Sequence, residues 1–451
     1  MAVWNSIDYS DVQEFNRADA EFYKPEYQEC FERVKLHNAE KISNFAYITD
    51  GIHASPNIVK NGIRYISAKC VKDNEFIIDN CIHISHEQNA QNPRTQLAAG
   101  DVIITTVGTI GNVAVVDPNL TPCNCDRHVG IIRITDRGNV SPYYVSTFLN
   151  TKYGKFQSLR EAAGNVQLNL YIRNIGHIIV PRFGKYEEEI ASCTKQGYLL
   201  RLESQSLYNQ AQNLLESELG LDILNFRKPV GYTAQFSELE YSRRSDAQHY
   251  QPRFTQLLRH LSSFPSERIR DIRTYNRRGL QPIYVNDGPV NVVNSQHLGP
   301  RHIDYDGLQK TSEAAFAASA EGHIQENDLL IYTTGAYIGR TNVYLHNTPA
   351  LASNHVNILR LNAGIDAAYM ALVFQSAVGQ FQTQKHARGS AQAELYPADI
   401  DRFVVPLLDP TKQTAIGDLV RKSLKKQQDS KRLLDQAKTR MEQLIEEAVR
   451  K

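Results

Sequence analysis

Arg17-Ala-Asp-Ala-Glu-Phe-Tyr-Lys-Pro-Glu-Tyr27 returns near the middle of the chain as Arg244-Ser-Asp-Ala-Gln-His-Tyr-Gln-Pro-Arg-Phe254, an offset of 227 positions (244 less 17). A second segment, Asp101-Val-Ile-Ile-Thr-Thr-Val-Gly108, recurs as Asp328-Leu-Leu-Ile-Tyr-Thr-Thr-Gly335 at the same offset. His128 and Arg133 match His355 and Arg360 at 227, while Gly154, Phe156, Gly164, Gln167, Tyr171, Ile175 and Pro181 match Gly379, Phe381, Gly389, Gln392, Tyr396, Ile400 and Pro406 at 225. A drift of two residues needs only small insertions or deletions in loops. The chain is a tandem duplication. Such a chain is expected to fold as two similar units about a rough two-fold axis, which suits a two-fold or bipartite partner better than one catalytic pocket.

Each repeat reads as a mixed globular part followed by a long helix. Short β-branched runs broken by Gly, Asn, Asp and Pro, such as 101–107, 112–116 and 129–134, predict strands. Tyr143–Asn150 and its counterpart Ala367–Phe374 predict a helix packed on that sheet. The globular parts end at Ile178-Ile-Val-Pro181 and Phe403-Val-Val-Pro406, after which composition changes sharply. The expected organisation is an N-terminal segment (1–37), a globular domain (38–185), a long helix (186–222), a linker repeating the N-terminal segment (223–265), a second globular domain (266–409) and a second long helix (410–451). The fold class is α+β.

Leu200, Leu207, Leu214 and Leu221 recur every seven residues in the first long helix and predict a coiled-coil seam, with Leu433 matching Leu207 in the second. A parallel heptad line carries Ile190, Gly197, Ser204 and Ala211; a shift of 226 gives Ile416, Ser423, Ser430 and Ala437. Small residues at equivalent places on both helices let two backbones approach closely, so the helices are expected to pack on each other, antiparallel, as a spacer of roughly 45 to 60 Å.

Composition is that of ordinary globular material: 451 residues, 41% hydrophobic, 22% charged, net charge +1. The amino terminus shows an early acid and no apolar run of signal-peptide length, and no stretch approaches a membrane span, so a cytoplasmic location without membrane contact is expected. All six cysteines lie in the first half, so a disulfide framework shared by both copies is absent and reduced thiols are expected. Cys123-Asn-Cys125-Asp-Arg-His128 resembles a ligand set, but its copy has Ala350, Ala352 and His355, which favours a structural role and no metal. Phosphate-loop, dinucleotide, zinc-protease and nucleophile-elbow patterns are missing, as is Asn/Asp-Pro-Pro-aromatic. A duplicated chain with no duplicated nucleophile, acid pair or ligand set points to binding rather than catalysis.

Candidate contact residues come from the duplicated turns. The strand entering two close glycines, Thr105-Thr-Val-Gly-Thr-Ile-Gly111 and Tyr332-Thr-Thr-Gly-Ala-Tyr-Ile-Gly339, makes a tight turn whose backbone could approach a phosphate or base edge. Thr105, Thr106, Thr109, Tyr332, Thr333, Thr334 and Tyr337 are its candidates. Gly164-Asn-Val-Gln167 and Gly389-Ser-Ala-Gln392 add Asn165, Gln167, Ser390 and Gln392, amides being able to pair with adenine in the major groove and hydroxyls with either partner. Between 243 and 278 there are nine arginines and no lysine, with Arg277 and Arg278 the candidates for phosphate contact. A solvated face is the bland alternative.

With these motifs in hand, the chain resembles the specificity subunits of type I restriction-modification systems. The likeness is carried by Gly100–Gly111 and its copy, the glycine-to-glutamine segments, the strand-proline exits and the Ser206-Leu-Tyr-Asn-Gln-Ala211 helix. It implies two target-recognition domains, each reading one half of a split asymmetric site in double-stranded DNA, held apart by an antiparallel helical pair. It further implies docking of two methyltransferase subunits and leaves room for restriction subunits, with S-adenosylmethionine, Mg and ATP on those partners and no cofactor or catalysis in this chain. A recognition scaffold of another phage-defence complex, or a stand-alone DNA-modifying enzyme, are the alternatives.

Overall fold

The computed structural model describes residues 5–164, 167–226, 229–389 and 392–447. The chain divides into two compact units: residues up to Leu202 with Gln427 onward, and Glu203–Lys426.

In the first unit, a four-stranded antiparallel sheet has the spatial order Ala46–Asp50, Val129–Ile134, Val102–Thr105, Val113–Val115. The middle strands are apolar along nearly their whole length because both faces are covered. One face meets the helix Pro142–Asn150 and the core holding Tyr144, Phe148 and Tyr153; the other meets Ile66, Val71, Leu97 and the two cysteines Cys123 and Cys125. A second sheet places Ile58–Ile66 between Ile82–Ile84, antiparallel, and Cys123–Cys125, parallel.

The second unit repeats the main sheet strand by strand. Its second sheet gains a fourth strand, His323–Ile324, against Ala350–Ala352, and among the described residues it lacks the first unit's ladder of Val71–Lys72 with Glu75–Phe76. Its antiparallel sheet runs Arg273–Arg278, Val356–Leu361, Leu329–Tyr332, Thr341–Val343. Its second sheet pairs Val290–Val293 antiparallel with Gln309–Thr311 and parallel with Ala350–Ala352. Each unit closes on a short ladder that joins its first and last strands, Glu40–Lys41 with Ile179–Val180 and Ser266–Arg268 with Val404–Pro406.

The same side chains lock both frames. Arg133 forks onto Asp101, and Arg360 onto Asp328, where each carboxylate is fully buried and also accepts a loop N–H. Gln157 clamps the backbone of Ile179 in both directions (3.0 and 2.9 Å), and Gln382 does so to Val404 (2.8 and 2.7 Å). Tyr144 and Tyr369 donate to the carbonyls of Pro181 and Pro406. These exchanges satisfy polar groups that burial would otherwise penalise, which explains why such positions survived the divergence of the copies.

The repeated N-terminal segment also has a definite task. The Arg17 guanidinium holds Asp19 and donates to the carbonyls of Glu161 and Ala162, at the end of the helix Lys152–Glu161. Arg244 holds Asp246 and donates to His386 and Ala387 at the end of Ala377–His386. Each arginine fork therefore caps carbonyls that the helix cannot satisfy itself. Arg160, fully buried, is sandwiched by Phe15, Phe22 and Phe31, with its guanidinium 3.7 Å from the Phe22 centroid. The helices that follow, Pro25–Lys35 and Pro252–Leu261, lead to the long helices: His37 bonds the Ile445 carbonyl at 3.0 Å, and His260 that of Leu219, just past the end of the first long helix, at 2.6 Å.

The long helices are Lys185–Glu218 and Pro410–Glu447. They run antiparallel: in the first unit Cys193 and Gly197 meet Leu433 and Ser430, and in the second Ser204 and Glu218 meet Ser423 and Lys412. The small-residue line forms the buried seam. Ile190 and Gly197 are buried with Ser430 and Ala437 in the first unit, Ser204 and Ala211 with Ile416 and Ser423 in the second. Ser204 and Ser423 each donate to the other's backbone carbonyl, at 2.8 and 2.7 Å, so the two backbones are one hydroxyl apart. A Cβ on Gly197 would lie 2.9 Å from Leu434 Cγ.

The leucine heptad is not that seam, contrary to its periodicity. Leu200, Leu207, Leu214 and Leu433 are only half-buried, and Leu221, though buried, lies past the end of the helix at Glu218, whereas Tyr198, Tyr208, Leu215 and Leu219 are buried. The reason is that each long helix packs on more than its partner. Tyr198 accepts the Val115 N–H of the first unit's edge strand, and Tyr208 donates to Gln375, which in turn donates to Thr341 of the second unit's edge strand. Contacts to the sheet units draw the buried stripe away from a strict seven-residue line.

Candidate nucleic-acid interface

In both units the two motifs singled out in the sequence lie side by side. In the first, Thr106 N–H donates to the His128 carbonyl (3.0 Å), and the Thr106 carbonyl accepts from Leu170 N–H (2.9 Å). Ala163 and Asn169 pair through two 2.9 Å bonds, closing a hairpin around Gly164 and Gln167. In the second, Thr333 N–H donates to the His355 carbonyl (3.1 Å), its carbonyl accepts from Leu395 (2.9 Å), and Arg388 and Glu394 close the hairpin around Gly389 and Gln392. Gly335 N–H, donating to Ala393, joins turn to hairpin directly.

The hairpin glycines are required by space as well as conformation. Gly164 and Gly389 have φ of +137° and +98°, and a Cβ on either would sit 2.2 Å from a carbonyl oxygen, that of Gln167 or Gln392. At Gly108, where φ is +78°, a Cβ would meet nothing within 4 Å, so this face of the turn is open.

The turn threonines face inward. Thr105, Thr106, Thr333 and Thr334 are buried, which removes their side chains from the exposed candidate surface. The Thr105 hydroxyl donates to the Thr109 carbonyl and accepts the Asn112 N–H at 2.9 Å; the Thr333 hydroxyl donates to the His355 carbonyl at 2.9 Å. The Thr105 hydroxyl thus satisfies the turn's own backbone and the Thr333 hydroxyl that of the neighbouring His355 segment, tasks that spacing alone does not distinguish from ligand contact; the buried Thr334 hydroxyl has no partner among the described residues. Exposed on the same turns and hairpins are Thr109, Gln167, Tyr337 and Gln392, with Tyr332 half-buried. Asn165 and Ser390 lie outside the described residues.

Many of the clustered arginines have intramolecular partners. Arg244, Arg273 and Arg278 donate to His386 and Ala387, to Asp401 and to the Leu395 carbonyl, while Arg253 is buried against Phe254 and Phe381. Arg278 also lies over the Tyr396 ring at 4.7 Å, which makes it a brace for the hairpin. Arg277 is exposed and pairs with the exposed Glu321 at 2.6 Å, an interaction weak enough to exchange for a phosphate. Arg340 stacks on Tyr337 with its guanidinium 3.6 Å from the ring centroid, presenting a planar cation beside an exposed aromatic.

Sequence reasoning missed three exposed features of this surface: His128 with His355, Tyr171 with Tyr396, and the Arg340–Tyr337 stack. The first two were visible as matched positions, but matching alone does not separate frame residues from surface residues. Electrostatics at the two sites differ. Burial raises the Asp126 carboxyl beside His128, whereas the counterpart of Asp126 is Ser353. The hydrogen bond to Glu394 raises the Tyr396 phenol.

All six cysteines are free thiols, with Cys123 and Cys125 buried between the sheets of the first unit. Among the described residues no cluster of three or more His, Cys, Asp or Glu could hold a metal ion, and no helix is long and apolar enough to cross a membrane.

No protein-family model matches the sequence, and no curated protein matches it. Among solved structures the chain is similar to the S subunit of a type I restriction-modification system from M. genitalium, at 13% identity and TM-score 0.47, covering 90% of this chain and 94% of that one. It is similar to the HsdS subunit from Thermoanaerobacter tengcongensis, at 14% identity and TM-score 0.28, covering 91% and 95%. A chain from a structure describing complex assembly and conformational transition of the type I R-M system matches at 14% identity and TM-score 0.31, covering 90% and 95%.

Proposed function

We propose that this chain is a non-catalytic, sequence-reading DNA-binding subunit of the type I specificity kind, each unit reading one half of a bipartite asymmetric site. One observation carries the reading. The same turn and hairpin recur on the same sheet in both units, on a frame whose buried residues are matched, while most exposed side chains on them differ. A common scaffold with unlike surfaces is what two unlike half-sites require. The helical pair is the docking surface for two methyltransferase subunits, and S-adenosylmethionine, Mg and ATP belong to the partner subunits, with none bound by this chain. The assembly leaves room for restriction subunits.

The test is exchange of residues 38–183 for those of another specificity protein, followed by mapping of methylated sites in a host carrying the partner subunits. Change in one half of the target only is expected. Change in both halves, or methylation that no longer depends on this chain, would refute the reading.

A further inference from the structure

The duplication supplies an internal comparison that separates shared from private surface. Exposed positions are free to drift, since most surface substitutions cost little stability, and around the turn and hairpin they have drifted. Thr109 corresponds to Ala336, Arg127 to Asn354, Leu168 to Ala393, Asn169 to Glu394, and Arg173 to Ala398. Within these drifting neighbourhoods three surface positions with polar side chains are identical: His128 and His355, Gln167 and Gln392, Tyr171 and Tyr396. None is held by burial. Gln167, Gln392 and His355 are exposed, the His128 side chain is 41% exposed, and the tyrosines are 50% and 42% exposed.

The fold gathers the three. The histidine carbonyl and the residue preceding the tyrosine bond the two sides of one threonine, Thr106 or Thr333, and the glutamine sits in the hairpin that leads into the tyrosine. Local packing does not account for the identities either. Tyr396 bonds Glu394 and lies beneath Arg278, but in the first copy Asn169 stands in the place of Glu394, and Asp50 holds the strand position of Arg278. His128 lies 3.4 Å from the Asp126 carboxylate, a partner that the second copy lacks.

We propose that this histidine, glutamine and tyrosine form, in each unit, a positioning set for the sugar-phosphate backbone, and that the drifting exposed residues around them read the bases. This assignment rests on the proposed function: two half-sites of unlike sequence share their backbone, and a retained surface matches a shared ligand. An imidazole N–H, a carboxamide NH₂ and a phenol O–H are all donors, as phosphate oxygens require, and Gly108 and Gly335 let the strand approach closely.

The experiment uses the full-length chain and a random-sequence duplex of about 30 base pairs, compared with a duplex carrying the mapped target. Gln167→Ala, Gln392→Ala, Tyr171→Phe and Tyr396→Phe are each expected to weaken binding to both duplexes roughly two- to tenfold. The ratio between duplexes and the salt slope should be unchanged, because the lost groups are neutral. Thermal stability should change little, since Tyr171→Phe removes an exposed hydroxyl and Tyr396→Phe removes one whose bond is a surface contact with Glu394. Unchanged affinity for the random duplex would overturn the inference while leaving the functional reading intact. A fall in the target-to-random ratio would also overturn it, showing that the set reads a base common to both halves. Failure of the unaltered chain to bind either duplex would sink the functional reading and this inference together.

Discussion

His386 shows how one substitution between copies changes the acid response of a unit. Its counterpart is Glu161. Burial, followed by Lys385, His249, Arg402 and Arg244, pushes the His386 imidazole down to about 3. Its folded value lies below the unfolded one near 6.5, so the unfolded chain protonates first. The stability it contributes is complete above pH 6.5 and is lost as pH falls from there toward about 3. The unfolding midpoint of residues 203–426, followed by hydrogen exchange, is therefore expected to drop between pH 7 and pH 5. His386→Gln should flatten part of that slope, with His249, shifted in the same direction, supplying more. A midpoint independent of pH in this window would contradict the assignment. Arg244 sits beside this group and has a second role, holding Asp246 below the ordinary carboxylate range while capping the helix end.

At the scale of elements, the close approach of the long helices depends on residues without bulk. Gly197→Val would push a branched side chain against Leu434 and the Ser430 carbonyl, and is expected to cost about 1–3 kcal/mol in denaturant unfolding. Ser204→Ala and Ser423→Ala should each cost roughly 1 kcal/mol. Because the two hydroxyls lie 3.1 Å apart, a double-mutant cycle should show coupling rather than additivity. Ala211→Glu is expected to disrupt the second unit far more than Leu207→Glu, since Ala211 is fully buried and Leu207 half-exposed. Equal effects would restore the leucine line as the seam. The existence of these helices and where they begin follow from composition and periodicity, although the first ends at Glu218 rather than 222; the buried face does not follow, because heptad spacing counts leucines without knowing what else the helix must touch.

At the scale of the whole molecule, each unit has its own sheets, its own clamp and its own buried ion pair. Asp328→Ala breaks the pair with Arg360 and should cost roughly 3 kcal/mol. Loss of amide protection should be confined to 203–426, with the first unit keeping its own. Asp101→Ala should give the reverse pattern, and a global loss from either change would show that the two cores unfold as one.

The sequence by itself determined the duplication, the α+β class, the strands within 101–107, 112–116 and 129–134 and the helices that follow them, because repeated order is a one-dimensional property; that the glycine turn lies against the glutamine hairpin came only from the tertiary structure. Only the tertiary structure decided which matched residues face water. Thr106 and Thr333 point into the frame, while His128, His355, Tyr171 and Tyr396 reach solvent, and all are equally well matched along the chain. Burial and partner are set by contacts between segments distant in sequence, such as 106 with 128 and 170. No local pattern encodes the side of a turn on which such contacts close.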